Sequence, residues 1–166
     1  SKKKYWDVYF DEGKISSQDV IVICSSLGTE KLLNPLGYSI KLEPILGQVL
    51  ELEYRSKDIQ YEQCPAVVST QGLNLIMEKE NRILIGATIE PGVKASLTYQ
   101  KKIHNLNNYA PHWLKHSSIK SSWYGVRAKP INQSAPILKT LEPGLIINSG
   151  HYRNGILLAP ACAEWV

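Results

Sequence analysis

A mixed α+β fold, built on a largely antiparallel sheet with flanking helices, is predicted by three features of this 166-residue chain. Short strand-like runs outnumber helix-like ones. Two of those runs, at 73–77 and 82–88, flank a polar four-residue turn in the manner of a hairpin. Helical periodicity is confined to brief stretches between the runs.

Taken in order, the apolar run at 5–10 followed by Asp11 and Gly13 reads as a strand and turn. The run Val-Ile-Val-Ile-Cys at 20–24 is continuous and β-branched, the pattern of a strand buried on both faces in a parallel sheet. It ends in Ser25, Ser26, Leu27 and Gly28, small residues that leave room for a ligand or serve as a plain turn. A short helix at 29–34, with Thr29 as its N-cap, is closed by Pro35. After Gly47 the run to Tyr54 alternates, Val49 and Glu51 against Leu50 and Leu52, as a half-buried strand does. A helix is expected from Ser96 to about Tyr109, ahead of Pro111, on a rough period that includes Leu97, Ile103 and Leu106. The buried-looking run at 123–126 and the run at 144–148 read as strands, the second leading through Gly150 to Gly155 into an apolar terminal helix. Pro160 is expected within about the first turn of that helix. No repeat of 20 to 50 residues is visible.

Composition excludes several classes. With 43% hydrophobic and 20% charged residues the chain is expected to pack a core. No apolar run approaches the ~20 residues of a membrane span, and no signal-peptide pattern is present. The net charge of +4 includes Lys2, Lys3 and Lys4, and no basic face or binding motif accompanies them, so nucleic acid is not an expected partner. Cys24, Cys64 and Cys162 are odd in number and widely spaced, which disfavours disulfides and zinc and makes a reducing, cytoplasmic setting the default; all three are expected to be inert core thiols. Met77 is the only methionine and the apolar C-terminal stretch stops at Val166, so both ends look cut and a fragment is expected.

The stretch from Asn148 to Pro160 carries the strongest chemical signal. A β-run ends, two glycines flank a polar loop and a helix begins, so free N–H groups and the positive end of the helix point into the loop. That arrangement favours an anion or an electron-rich ring edge, with Arg153 adding a forked positive charge. An ordinary strand-to-helix connection with a surface arginine reads equally well from these residues. Arg127 ends an aromatic strand, where it could hold a carboxylate through two parallel hydrogen bonds or serve as an ion-paired edge residue. His104, His112, His116 and His151 lack metal-ligand spacing, and no nucleotide or nucleophile-elbow motif is present.

Four motifs in order, Pro-Ile-Leu-Gly-Gln-Val-Leu at 44–50, Arg-Ile-Leu-Ile-Gly-Ala-Thr at 82–88, Trp-Tyr-Gly-Val-Arg at 123–127 and Gly-His-Tyr-Arg-Asn-Gly-Ile-Leu-Leu-Ala-Pro at 150–160, resemble the C-terminal half of the FAD-dependent D-amino-acid oxidase superfamily. The similarity is strongest to its bacterial glycine oxidase branch, which serves thiamine biosynthesis. The resemblance implies a substrate-binding domain over 37–141 and two pieces, 1–36 and 142–166, of a Rossmann-like FAD-binding domain whose dinucleotide fingerprint is absent here. It implies an oxidoreductase that deaminates glycine or a small amino acid or amine by hydride transfer to flavin, with oxygen as acceptor and this segment alone inactive. Arg127 would hold the substrate carboxylate and Arg153 would sit beside flavin and substrate; Gly150, His151, Asn154, Gly155, Ile156 and Leu157 would face the flavin. Asn74 stands where the branch carries an active-site tyrosine, Met77 and Glu78 replace its Pro-Arg, and Ala128 replaces a proline, so the exact substrate stays open between glycine and another small amine or amino acid; Tyr124 or Tyr152 could supply the missing hydroxyl. Two other readings stay open: a same-fold dehydrogenase passing electrons to a quinone, and a non-catalytic carboxylate-binding domain. Homo-oligomer formation is also left open.

Overall fold

The computed structural model describes residues 5–11, 13, 15–55, 63–79, 81–105 and 112–166, without the side chains of residues 15, 79, 102, 104 and 105. The lysine run at 2–4, Leu106, Tyr109, Pro111 and the side chain of His104 therefore lie outside the described residues. The chain divides into two compact units: Ser1–Pro44 with Arg127–Val166, and Ile45–Val126.

In the second unit the frame is antiparallel. Strand β4 (Leu42–Glu53) enters it from the first unit, followed by β5 (Val67–Thr70), β6 (Leu73–Lys79), β7 (Arg82–Gly86) and β8 (Glu90–Pro91), in the spatial order β5-β6-β7-β4-β8. The alternation seen after Gly47 holds: Leu50 and Leu52 are fully buried, while Glu51 and Glu53 take the other face. Pairing Leu50 with Ile85 and Leu52 with Ile83 sets all four on one face, where Tyr54, Leu75, Ile103 and Leu114 complete a core. Each such aliphatic side chain contributes about 1.5–3 kcal/mol on burial. Ile103 reaches this core from helix α2 (Leu97–Asn105) and Leu114 from the short helix α3 (His112–Lys115). The hairpin is present with a tighter turn than expected, because Lys79 still pairs with Arg82 across it.

A buried polar knot fastens β4 in this unit. The backbone N–H of Gln48 donates to Thr88 Oγ1 at 2.8 Å, and Gln48 Nε2 donates to Glu90 Oε1 at 2.7 Å and to the Ser96 carbonyl at 3.1 Å. Thr88 donates its hydroxyl to the same Glu90 oxygen and the Ser96 N–H donates to Oε2 at 3.3 Å, so both oxygens of the buried carboxylate are bonded. On the opposite face of the sheet Arg82 Nε donates to Glu51 Oε1 at 2.6 Å and Ser121 Oγ donates to Glu51 Oε2 at 2.7 Å. Those two hydrogen bonds, Ser121 first, hold the Glu51 carboxyl below the usual carboxylate range.

The first unit contains the hairpin of β1 (Trp6–Tyr9) and β2 (Ile15–Gln18), strand β3 (Ile21–Ile23), helix α1 (Thr29–Leu33), the end of β9 (Ser118–Pro130), β10 (Ile137–Glu142), β11 (Leu145–Ser149) and helix α4 (Gly155–Trp165). β10 and β11 are antiparallel, and β3 runs parallel to β11, as the β-branched run predicts. Leu33, Ile40, Leu42, Ala128, Ile137, Leu145 and Ile147 form its core.

Six local expectations change. β3 is an edge strand with Ile21 and Ile23 turned to the core and Val20 and Val22 exposed, so it is not buried on both faces. Thr29 is the first residue of α1 rather than its N-cap; Gly28 takes the cap position and the Thr29 hydroxyl bonds elsewhere. Pro35 does not stop the helix but sits in a 3₁₀ turn, Asn34–Leu36, that continues it. Pro160 lies inside α4, beyond the first turn. Cys24 is exposed and Cys64 half-buried; only Cys162 is a core thiol. Trp123 and Tyr124, within an apolar run, are exposed as well, because residues 118–125 of β9 are open on both faces.

Candidate functional site

The turn between β11 and α4 gathers most of the residues singled out in the sequence. Gly150 follows the last strand residue with φ +65° and is buried. A Cβ there would stand 2.9 Å from Pro130 Cγ and 3.2 Å from Leu42 Cδ2, so both the backbone conformation and the space demand glycine. Tyr152 also adopts a left-handed backbone, φ +54°, an uncommon state for a residue with a side chain. The Asn154 N–H closes the turn on the His151 carbonyl at 3.1 Å.

Helix α4 then starts at Gly155. Asn154 occupies its cap position but its side chain makes no capping hydrogen bond, so the first-turn N–H groups face out of the helix end. Arg153 beside it is exposed and has no ion-pair partner among the described residues. Ile156 is 96% exposed and Leu157 79%. Uncapped donors, the positive helix end and a free guanidinium next to bare aliphatic surface suit a molecule with a flat apolar body and an anionic or electron-rich edge. A second vacancy lies beside the turn: Asn148 Nδ2 donates to the Cys162 carbonyl at 3.4 Å, while its buried Oδ1 has no hydrogen-bond partner among the described residues.

Arg127 is half-buried on β9, in the same unit as this turn. Strand alternation puts Ala128 and Pro130 toward the core and Arg127 with Lys129 on the other face. Lys129 Nζ donates to Glu43 Oε1 at 2.5 Å, and that bond, assisted by the nearby Tyr152 phenol, holds the ammonium above the usual lysine range. Tyr152 therefore lies close to the polar face of the strand that carries Arg127.

Asn74 belongs to the other unit. It sits on β6, opposite Ser69 of β5 and Gly86 of β7, and accepts a hydrogen bond from Ser69 Oγ at 2.7 Å. Asn74 is exposed, and its Nδ2 group keeps two donors. Gly86 opposite it has no room for a side chain, since a Cβ would approach the Gln48 carbonyl to 2.8 Å. Tyr124 is exposed on β9.

Sequence reasoning missed one part of this region, the buried hydroxyl pair Thr29 and Ser149, joined at 2.9 Å across 120 residues of chain. No local pattern signals such a pair.

Comparison with known proteins matches the model of the DAO family, described as FAD dependent oxidoreductase, over residues 2–166. Glycine oxidase of Geobacillus kaustophilus (strain HTA426) is 28% identical over 153 residues, covering 89% of this chain and 39% of that protein. Among solved structures, glycine oxidase from Bacillus cereus ATCC 14579 superposes with a TM-score of 0.79 at 26% identity, covering 99% of this chain and 45% of that one. Iminodiacetate oxidase from Chelativorans sp. BNC1 shares the fold, with a TM-score of 0.79 at 19% identity over 95% of this chain and 44% of that one. The chain thus spans about 40% of the length of the curated relatives it matches. No described helix is long and apolar enough to cross a membrane. The mixed, mainly antiparallel architecture and the match along nearly the whole length agree: this chain belongs to the DAO family of FAD-dependent oxidoreductases.

Proposed function

We propose that the chain forms the substrate-holding part, with a flavin-facing edge, of an oxidase that converts a small amino acid or amine to its imine. The observation that carries this reading is the turn from Gly150 to Leu157, where uncapped helix donors, free Arg153 and exposed aliphatic surface meet in a chain that matches an FAD-dependent family from residue 2 to residue 166. When bound, FAD supplies the two-electron acceptor for the amine. Segments 1–36 and 142–166 belong, in this reading, to the flavin-binding domain, and 37–141 to the substrate domain.

The chain's own residues orient and polarise. The N–H groups of Gly155, Ile156 and Leu157 would hold an electron-rich ring edge of the flavin, and the positive helix end there would favour negative charge on it. His151 and Asn154 shape the same turn, and Asn148 Oδ1 offers an unserved acceptor. Arg127 takes the substrate carboxylate in a forked grip, so the α-carbon is presented in one orientation. Arg153, exposed beside the start of the helix, would add positive charge for the flavin or the substrate carboxylate. Asn74, in the second unit, offers an amide in place of a phenol, and glycine or another small amino acid or amine stays the expected substrate.

An absorbance spectrum of the full-length gene product, followed by a peroxide assay with glycine, sarcosine, iminodiacetate and D-amino acids, tests the reading. It expects a flavin spectrum that one of these amines bleaches, with peroxide formed on admitting oxygen. Bleaching without peroxide would replace oxygen by another acceptor such as a quinone. A colourless protein that takes up no FAD would overturn the reading in favour of a carboxylate-binding domain.

A further inference from the structure

The parallel strands β3 and β11 end side by side, Ile23 opposite Ile147, and each runs into a turn that contains a side-chain-bearing residue in the left-handed region: Ser26 at φ +53° after β3 and Tyr152 at φ +54° after β11. Two buried hydroxyls fasten these turns to each other. Thr29 is 0% exposed and Ser149 2%, and their oxygens lie 2.9 Å apart. Ser25 Oγ extends the chain to Thr29 Oγ1 at 3.3 Å, and Ser149 Oγ reaches the Ser26 carbonyl at 3.5 Å. Hydroxyls used this way are spent on long-range geometry, since neither caps a helix. Left-handed residues of this kind persist only where the surroundings over-determine them.

We propose that Thr29 and Ser149 are positioning residues that lock the turns at 25–28 and 150–155 into one rigid platform for the flavin, so that the Cys24–Gly28 end of β3 is a second wall of the site. The inference rests on the flavin reading above. Ligands of open α/β sheets lie outside the carboxyl ends of parallel strands, and these two strands are the parallel pair of the first unit. The pair acts through the turns and touches no substrate. Removing one hydroxyl breaks the shortest link between the turns and leaves the other only its longer local bond, Thr29 to Ser25 or Ser149 to the Ser26 carbonyl, which loosens both turns together.

The test uses the full-length gene product loaded with FAD and compares Thr29→Val, Ser149→Ala and Thr29→Ser. The expected result for the first two is FAD binding weaker by about tenfold, with an altered flavin absorbance envelope and a shifted flavin reduction potential. Thr29→Ser, which keeps the hydroxyl, restores affinity and spectrum. A wild-type affinity, spectrum and potential in Ser149→Ala, even with a lowered melting temperature, would overturn the proposal and leave a purely structural pair. Should Thr29→Val fail to accumulate as folded protein, Ser149→Ala in the same three readouts decides alone, because it removes one oxygen and little volume. Failure of the wild type itself to take up FAD would defeat the flavin reading, a distinct outcome.

Discussion

Helices α2 and α4 are similar in length but opposite in character. α2 is mostly polar and is held to the second unit by Ile103, 1% exposed in the core beside Leu50 and Ile85. α4 carries one charged residue, Glu164, yet buries only Cys162 and leaves Ile156, Leu157 and Trp165 in the open. A helix that is apolar all round ordinarily lies against other surfaces on most sides. The position of α2 is thus explained by its own unit, whereas the residues at the start of α4 make sense only with something placed against them, and the adjoining turn offers hydrogen-bond donors and a cation to that neighbour.

The widest contrast between the helices is expected from truncating their aliphatic residues in this chain. Ile103→Ala removes a buried side chain and costs about 2–5 kcal/mol of unfolding free energy, read by urea denaturation. Leu157→Ala changes stability by less than about 0.5 kcal/mol, because the side chain is already in solvent and alanine favours helix. Equal losses would mean that α4 is anchored through its first turn and the contrast is wrong.

Next in size is the effect of Arg127→Ala in the full-length gene product. Losing a forked contact to carboxylate lowers kcat/KM by roughly 30- to 150-fold, about 2–3 kcal/mol, and Arg127→Lys recovers only part of it. Kinetics unchanged from wild type would remove Arg127 from the site while leaving the turn at Gly150 untouched.

The smallest effect belongs to the scaffold face of the second unit. The Glu51 carboxyl is held low by Ser121 and then by Arg82, so its folded value lies below its unfolded one. Stability from this group is therefore present above the unfolded carboxylate range and is lost as pH falls through the folded value. Ser121→Ala should raise the Glu51 pKa toward the ordinary range, and acid titration followed by carboxyl NMR resonances will show the midpoint move upward. No movement would assign the lowering to Arg82.

How much could be read in advance differs by region for physical reasons. The alternation Gln48 to Glu53 and the hairpin at 73–86 were legible, since period-two burial and turn polarity are local. The parallel pairing of β3 was legible from its β-branched run, but its burial was not: exposure of Val20 and Val22 depends on what lies beyond an edge strand. Thr29 looked like a cap because caps are judged within four residues, while its actual partner is Ser149. The turn at Gly150 was legible through its glycines and the start of an apolar helix. The hydrogen bond that Asn74 accepts was not, for its donor, Ser69, lies across a strand pair.

The central claim is that the first turn of α4 faces the flavin, and Ile156→Glu tests it most directly. The side chain is 96% exposed, and a carboxylate at a helix start is favourable by about 0.3–1 kcal/mol, so folding of the 166-residue chain should be unharmed. In the full-length gene product the new charge would oppose the electron-rich edge of the flavin, and equilibrium FAD binding should weaken by about tenfold or more. FAD affinity equal to wild type would contradict the placement of this turn against the flavin.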